Sequence, residues 1–138
     1  MVDFQLTRRL AKDFASLDLP KGRRKTGLFV AEGAKCVGEL LAAFECRYLF
    51  ATAEWLAANS KLTEQCGNAE IVAATHAMLN EITRLTATPK VIAFFALPEA
   101  EEVDAAYAAD NLVVALERIQ DPATLGTVLR TCDWMGVR

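Results

Sequence analysis

Two hydrophobic patterns alternate along this chain: short continuous apolar runs, and segments in which apolar residues recur every three or four positions. The runs predict β-strands, and the recurring positions predict helices with one apolar face. Because the two kinds of element alternate, we expect an α/β fold in which helices cover the faces of a sheet. The predicted strands are residues 28–31, 48–51, 71–73, 91–96 and 112–116. The predicted helices are residues 3–17, 33–44, 53–65, 75–83 and 101–108, with a last helix that has Thr124 as its N-cap.

The alternation is interrupted once, at the acidic stretch from Pro98 to Glu102. Although 138 residues suit a single domain, a charged break before a new apolar run is typical of a domain boundary. We therefore predict a first domain over residues 1–98, a linker over 99–110 and a second segment over 111–138.

Composition narrows the class of protein. The net charge is -3, so any contact with nucleic acid requires a local basic patch, because strong nonspecific binding needs many phosphate contacts. Four separated cysteines without a Cys-x-x-Cys pair, and a single histidine, argue against a zinc site. No apolar stretch approaches the ~20 residues that span a bilayer. We expect a cytoplasmic protein with reduced thiols and without a metal.

A local basic patch is present in residues 20–27, which we predict to be a loop. Lys21, Arg23, Arg24 and Lys25 place four cations within five positions, beside glycines that allow close approach of a ligand. Lys35 follows in the next predicted helix and extends the patch. This composition predicts a contact with RNA phosphates, and the alternative is a solvated surface loop.

A second candidate site follows the apolar run at residues 112–116. Asp121-Pro122 predicts a restricted turn, because proline fixes its own φ and keeps the preceding residue out of helical space. In the helix that follows, Arg130 lies off the apolar stripe. It is either a functional arginine near the end of a strand or a solvated surface residue. The stripe consists of Leu125, Val128, Leu129, Cys132 and Met135.

This segment resembles the first motif of the SpoU (TrmH-type) RNA 2′-O-ribose methyltransferases, Asp-Pro-x-Asn-x-Gly-x-x-x-Arg-Thr. Thr124 stands where the family has asparagine, and a hydroxyl cannot donate and accept as an amide does. The resemblance implies that Arg130 lies at the ribose to be methylated and helps to activate its 2′-hydroxyl, with position 124 in the same active site. The matching residues are Asp121, Pro122, Gly126, Arg130 and Thr131.

The first domain is similar to the family's substrate-binding domain. Residues 21–33 resemble its start and residues 88–93 its last strand. The resemblance implies a three-layer α/β/α fold with a small mixed sheet, like that of ribosomal proteins that bind kinked RNA. It also implies that Glu32 and Gly33 shape a loop, and a carboxylate at a helix start suits the helix dipole.

The resemblance further implies S-adenosylmethionine as methyl donor, held by loops of a C-terminal trefoil knot, and an active site completed across a homodimer. None of those loops is recognisable here, so we expect the front part of a longer enzyme, inactive alone and without cofactor contacts. The partner is structured RNA, ribosomal or transfer. A non-catalytic RNA-binding or ribosome-associated module is the alternative, and a protein-interaction domain is a third reading.

Three further residues receive structural predictions. His76 has no partner cluster in the sequence, so we expect it at the start of a helix rather than in a catalytic site. Trp55 and Trp134 are able to stack on bases, but both lie in or beside apolar helical patterns. We therefore expect both tryptophans to pack in a core.

Overall fold

The computed structural model describes residue 14, residues 16–99 and residues 104–137. The chain divides into two compact units, Met1–Pro98 and Glu99–Arg138. In the first unit a 3-10 turn, Ser16–Asp18, precedes the helices and strands. These are, in chain order, α1 (Pro20–Thr26), β1 (Leu28–Glu32), α2 (Ala34–Leu41), β2 (Cys46–Ala51), α3 (Ala53–Ala58), α4 (Ser60–Glu64), β3 (Glu70–Ala73), α5 (His76–Ile82) and β4 (Val91–Ala96).

The four strands form one mixed sheet in the order β1-β4-β2-β3. β4 pairs antiparallel with both β1 and β2, whereas β2 and β3 are parallel. This confirms the predicted α/β fold with a small mixed sheet. The sheet has two ends, named here after the glycines that flank β1. At the Gly27 end β1, β2 and β3 begin and β4 finishes, and at the Gly33 end the reverse holds.

Helices cover both faces of this sheet, because successive residues of its inner strands point to opposite sides. One face buries Leu49, Ala93 and Phe95 against α2 and against Trp55 of α3. The other face buries Phe50 and the residues beside it against α5. β4 is therefore apolar at every position, and β2 is apolar from Leu49 to Ala51, as expected of strand segments that are covered on both faces.

An aromatic cluster anchors the beginning of the described chain. Phe14 stacks on Phe94 with ring centroids 3.5 Å apart, and it meets Tyr48 and Phe50 edge to face at 5.8 and 5.5 Å. Leu17 is buried in the same cluster. Of the helix predicted over residues 3–17, the greater part lies outside the described residues.

Most other predicted elements are found, with shifted ends. The helix predicted over 53–65 is two short helices separated by Asn59. Trp55 is buried, as predicted, and His76 is the first residue of α5, after the N-cap Thr75. Cys36, expected to face the sheet, is exposed on α2.

The second unit contains two described helices, α6 (Ala105–Asp110) and α7 (Pro122–Trp134). The strand predicted over 112–116 is not formed: Leu112 is 70% exposed, and these residues pair with no described strand. An apolar run forms a strand only with a hydrogen-bonding neighbour, which the pattern cannot supply by itself. Trp134, expected in a core, is 92% exposed. No helix within the described ranges is long and apolar enough to cross a membrane.

Candidate functional site

The basic segment is a helix rather than the predicted loop. Leu19 is extended, with φ -98° and ψ 141°, and Pro20 takes the first helical position, where its missing N–H would have no partner anyway. Gly27 ends α1 in the left-handed conformation, with φ 66°, and its N–H donates to the Arg23 carbonyl at 2.8 Å. The loop prediction was wrong because a proline that interrupts one helix also suits the first position of the next, and Pro20 occupies that position.

Helix geometry sorts the four cations of α1 onto two sides. Lys21, Arg24 and Lys25 occupy positions i, i+3 and i+4, so they share one face, and all three are exposed. Arg23 is half-buried, and its Nη1 donates to the Leu17 carbonyl at 2.7 Å. Arg23 therefore ties α1 to the 3-10 turn, while the other three cations face solvent.

Gly22 allows this close approach of α1 to the turn. It is buried, and a Cβ at this position would lie 1.9 Å from the Ser16 carbonyl oxygen and 2.5 Å from its carbon. Real Cβ atoms essentially never come closer than 3.0 Å to another heavy atom. Glycine at this position thus fixes where α1 lies, and with it where the basic face points.

Glu32 and Gly33 lie at the opposite end of the sheet. Gly33, the predicted first residue of this helix, is the N-cap of α2, with φ 90°, and its N–H donates to the Val91 carbonyl at 3.0 Å. The Glu32 carboxylate accepts hydrogen bonds from the Thr83 hydroxyl and from the Arg84 backbone N–H, the latter at 3.2 Å. Glu32 therefore joins the end of β1 to the chain that follows α5.

The predicted RNA-binding residues do not form one patch. The exposed cations of α1 lead into the Gly27 end, whereas Lys35 is exposed in α2, just after the Gly33 end. The five-residue strand β1 lies between them, a length of about 16 Å. Lys90 is a further exposed cation at the Gly33 end, and its Nζ lies 3.4 Å from the Glu54 carboxylate.

The second candidate site begins at the start of α7. Asp121, not Thr124, is the N-cap: its carboxylate accepts from the Ala123 and Thr124 N–H groups at 3.3 and 2.9 Å. The Thr124 hydroxyl donates to the same carboxylate at 2.6 Å. These hydrogen bonds, that of the Thr124 hydroxyl first, lower the pKa of Asp121. With its proton directed to Asp121, the hydroxyl presents its oxygen lone pairs to a ligand.

Arg130 lies two turns further along α7 and is exposed. Its Nη2 donates to the Thr127 hydroxyl at 3.3 Å, so the side chain runs back toward the start of the helix. A Cβ at Gly126 would lie 3.4 Å from Nη1 of Arg130. Gly126 therefore leaves room for the guanidinium beside the helix, on the face opposite the apolar stripe.

The second unit alone does not fit S-adenosylmethionine. Cofactor sites are concave and bury most of the ligand surface. No residue described between 104 and 137 is buried, and only Gly126, Val128, Cys132 and Val137 are half-buried. Within the described residues there is also no group of three or more side chains suited to hold a metal ion.

The four cysteines are free thiols in different surroundings. Cys46 and Cys66 are buried together in the core beneath α4. Burial, and secondarily the neighbouring Cys66, raise the pKa of Cys46 to about 12, and burial also raises the pKa of Cys66. Both are therefore protonated packing residues at neutral pH.

Comparison with known proteins identifies the family. Residues 9–93 match the family model of the MRM3-like substrate binding domain. No curated protein matches the chain significantly. Among solved structures, a protein from Porphyromonas gingivalis assigned to the TrmH family of RNA methyltransferases is 32% identical, with a TM-score of 0.74. The similarity extends over 100% of this chain and 51% of the length of that protein.

Two other structures extend the comparison. An AdoMet-bound rRNA methyltransferase from Sinorhizobium meliloti is 26% identical with a TM-score of 0.69, and 96% of this chain covers 50% of it. The SpoU methyltransferase AviRb from Streptomyces viridochromogenes, in complex with AdoMet, shares the fold at 21% identity and a TM-score of 0.60, and 94% of this chain covers 50% of it. The chain thus spans about half the length of these proteins. It belongs to the SpoU (TrmH-type) RNA methyltransferase family, with an MRM3-like substrate-binding domain at residues 9–93.

Proposed function

We propose that the protein is an S-adenosylmethionine-dependent RNA 2′-O-ribose methyltransferase. Residues 1–98 bind the substrate RNA, and residues 111–138, joined by the linker 99–110, carry the first active-site motif. The match of residues 9–93 to a substrate-binding domain is the observation that carries this proposal. The rRNA methyltransferase among the relatives favours ribosomal RNA over transfer RNA as the substrate.

The exposed face of α1 supports the RNA-binding role. Lys21, Arg24 and Lys25 point to solvent from one face of a helix that Gly22 and Arg23 hold in place. Cations on a rigid helix meet phosphates without the entropy cost of ordering a loop. The patch is small, which agrees with a net charge of -3 on the whole chain.

RNA binding is tested by replacing this face. In the triple variant Lys21→Gln, Arg24→Gln, Lys25→Gln we expect weaker binding of a structured rRNA fragment in fluorescence anisotropy. The slope of log K against log salt should fall by about 2 to 3, because each lost phosphate contact removes roughly 0.7 to 0.9. Lys61→Gln, an exposed lysine on α4, is the matched control and should bind normally. Unchanged affinity and salt dependence in the triple variant would contradict the RNA-binding role of this face.

The motif residues support the catalytic role. A ribose hydroxyl is a poor nucleophile, so the site has to orient it and stabilise its proton loss. Arg130 is almost always protonated, so we assign it hydrogen-bond donation to the hydroxyl and its phosphate rather than base catalysis. Thr124 lies at the start of the same helix and offers an acceptor. S-adenosylmethionine supplies the methyl group, and we assign none of its contacts to the described residues.

Catalysis is tested in the full-length protein with RNA and a methyl-labelled donor. Arg130→Ala should lower methyl incorporation by about a hundredfold or more, the range for loss of one preorganised hydrogen-bond donor in an active site. Arg118→Ala is the matched control, because Arg118 is also exposed and its ion pair among the described residues is with its neighbour Glu117, at 3.6 Å. Full activity of Arg130→Ala would contradict the assignment. Thr124→Asn, which restores the amide of the family, should retain activity.

The remaining parts of the proposal concern assembly and location. Following the family, the active enzyme is a homodimer, and the 138-residue chain alone does not methylate RNA. The free thiols agree with a cytoplasmic location, where cysteines stay reduced. If the isolated chain transfers methyl groups at the rate of the full-length protein, the proposal that residues outside this chain bind the cofactor is wrong.

A further inference from the structure

The Gly27 end of the sheet contains a groove of about 610 Å³, within the range of small-ligand sites. Four separate chain segments form it: the α1–β1 junction, the start of β2, the approach to β3 and the end of β4. No sequence motif marks it, since its residues are scattered. The lining residues used below are Thr26, Gly27, Arg47, Tyr48, Asn68 and Glu70.

A β-bulge at the start of β2 places Arg47 at this groove. Cys46 pairs with Phe95 and Tyr48 pairs with Phe94, so Arg47 is an extra residue without a partner in the ladder. Bulges re-aim side chains and are frequent beside functional sites. The Arg47 side chain is half-exposed and lies 3.1 Å from the Glu45 carboxylate, which occupies only part of its donor set.

The groove offers hydrogen-bonding groups that the described part of the chain does not use. The Asn68 amide supplies a donor and an acceptor, and the Glu70 carboxylate supplies acceptors; neither has a side-chain partner among the described residues. The Thr26 hydroxyl, by contrast, donates to the Gly22 carbonyl at 2.9 Å. A carboxylate beside an amide matches the pairing edge of a base with an amino group.

The surroundings favour a nucleotide over an uncharged ligand. Lys25 directly precedes the lining residue Thr26, and Arg24 lies on the same exposed face. Cations next to a lining residue in the chain suit phosphates, while Tyr48 and the planar guanidinium of Arg47, which line the groove, suit the stacking of a base. A paired base has its pairing edge occupied, so only an unpaired nucleotide reaches these groups.

We propose that this groove binds one unpaired nucleotide of RNA, with Asn68 and Glu70 at the base edge and Arg24 and Lys25 at the flanking phosphates. The inference rests on the proposed function and adds a second contact to it, at the end of the sheet opposite Glu32 and Gly33. Guanine, cytosine and adenine carry the amino group that Glu70 accepts from, whereas uracil does not. Uracil offers a carboxylate only its N3–H, which lies between two carbonyl oxygens that repel the carboxylate, so uridine is the weakest ligand.

The test uses two-dimensional amide NMR spectra of the chain with the four nucleoside monophosphates, a short single-stranded RNA and the same RNA as a duplex. We expect the amides of Gly27 and Asn68 to shift, most with the single strand and least with uridine monophosphate. Glu70→Gln should weaken single-strand binding about tenfold. Glu39→Gln, an exposed carboxylate on α2, is the control and should bind normally. Preserved peak dispersion shows that both variants are folded.

Three results would overturn the inference, and they separate it from the proposed function. In the first, RNA binding depends on the α1 cations while the groove amides do not shift and Glu70→Gln binds normally. This result would contradict the inference about the groove but not the proposed function. If the monophosphates shift the groove amides but no RNA binds, the groove is a site for free nucleotides. This result would contradict both the inference and the proposed RNA-binding function. A duplex that shifts these amides as strongly as the single strand shows that the groove does not select unpaired nucleotides.

Discussion

Gly22→Ala tests how α1 is held in place. Alanine is the better helix former by roughly 1 kcal/mol, so helix propensity alone predicts a stabilised protein. The packing predicts the opposite, because the new Cβ would lie about 1 Å inside the 3.0 Å limit that real Cβ atoms respect. The closest atoms belong to the Ser16 backbone, which cannot move aside as a flexible side chain does.

The loss of stability depends on whether α1 or the 3-10 turn moves to accommodate the new Cβ. Shifting α1 is overpacking, which costs about 1 to 3 kcal/mol, and it strains the hydrogen bond from Arg23 to Leu17, a charged donor worth about 1.5 to 3 kcal/mol. Releasing the turn instead exposes Phe14 and Leu17, at about 1.5 to 3 kcal/mol each. After the gain in helix propensity, we expect a net destabilisation of about 2 kcal/mol.

Gly38→Ala is the matched control. Gly38 also lies inside a helix, but the nearest atom to its new Cβ would be a Leu62 methyl carbon at 3.9 Å, an ordinary contact. This variant should be more stable by about 0.4 to 1 kcal/mol.

Urea unfolding and thermal unfolding, both followed by Trp55 fluorescence, measure the two variants in a Trp134→Phe background that removes the exposed tryptophan. At about 4 °C or more per kcal/mol, Gly22→Ala should lower the midpoint of thermal unfolding by about 8 °C. If Gly22→Ala is as stable as Gly38→Ala, the described contact of α1 with the turn is wrong.

Other consequences concern thiols, caps and the Glu32 contact. At pH 8 Cys36 should react with a thiol reagent in the folded protein, whereas Cys46, whose pKa is raised to about 12, should react only after unfolding; labelling and mass spectrometry distinguish them. Because unfolded Cys46 ionises near 9.0 and folded Cys46 keeps its proton, stability should fall as the pH rises from 9.0 toward about 12, and a flat alkaline profile would contradict its burial. Because the pKa of Asp121 is lowered by its capping hydrogen bonds, the cap is fully formed above pH 3.8 and is lost as the pH falls through the pKa of the folded state. Circular dichroism should therefore show helix loss in acid. Asp121→Ala should show the same loss at neutral pH. Glu32→Gln should speed hydrogen exchange of the Arg84 amide, and unchanged exchange would show that the carboxylate does not hold this segment.

Local chemistry was sufficient to predict the four strands that the sheet contains and much of the helical framework. β4 was predicted with its observed ends, because a strand buried on both faces is apolar throughout. The Asp121-Pro122 start of α7 was legible for a similar reason: proline restricts the backbone of its own residue and of the preceding one. The pattern placed the cap at Thr124 because threonine and aspartate both cap helices, and only the hydrogen bonds distinguish them.

What the sequence by itself determined about this protein is therefore its periodicity, its turns and the family motif, which depend on neighbours within a few positions. Tertiary structure alone decided which cation faces inward, since the position of Arg23 depends on the 3-10 turn that Gly22 contacts. It also decided that residues 112–116 remain outside a sheet and that Arg47, Asn68 and Glu70 share one groove. Strand pairing and grooves join distant segments, and no local pattern records which segments will meet.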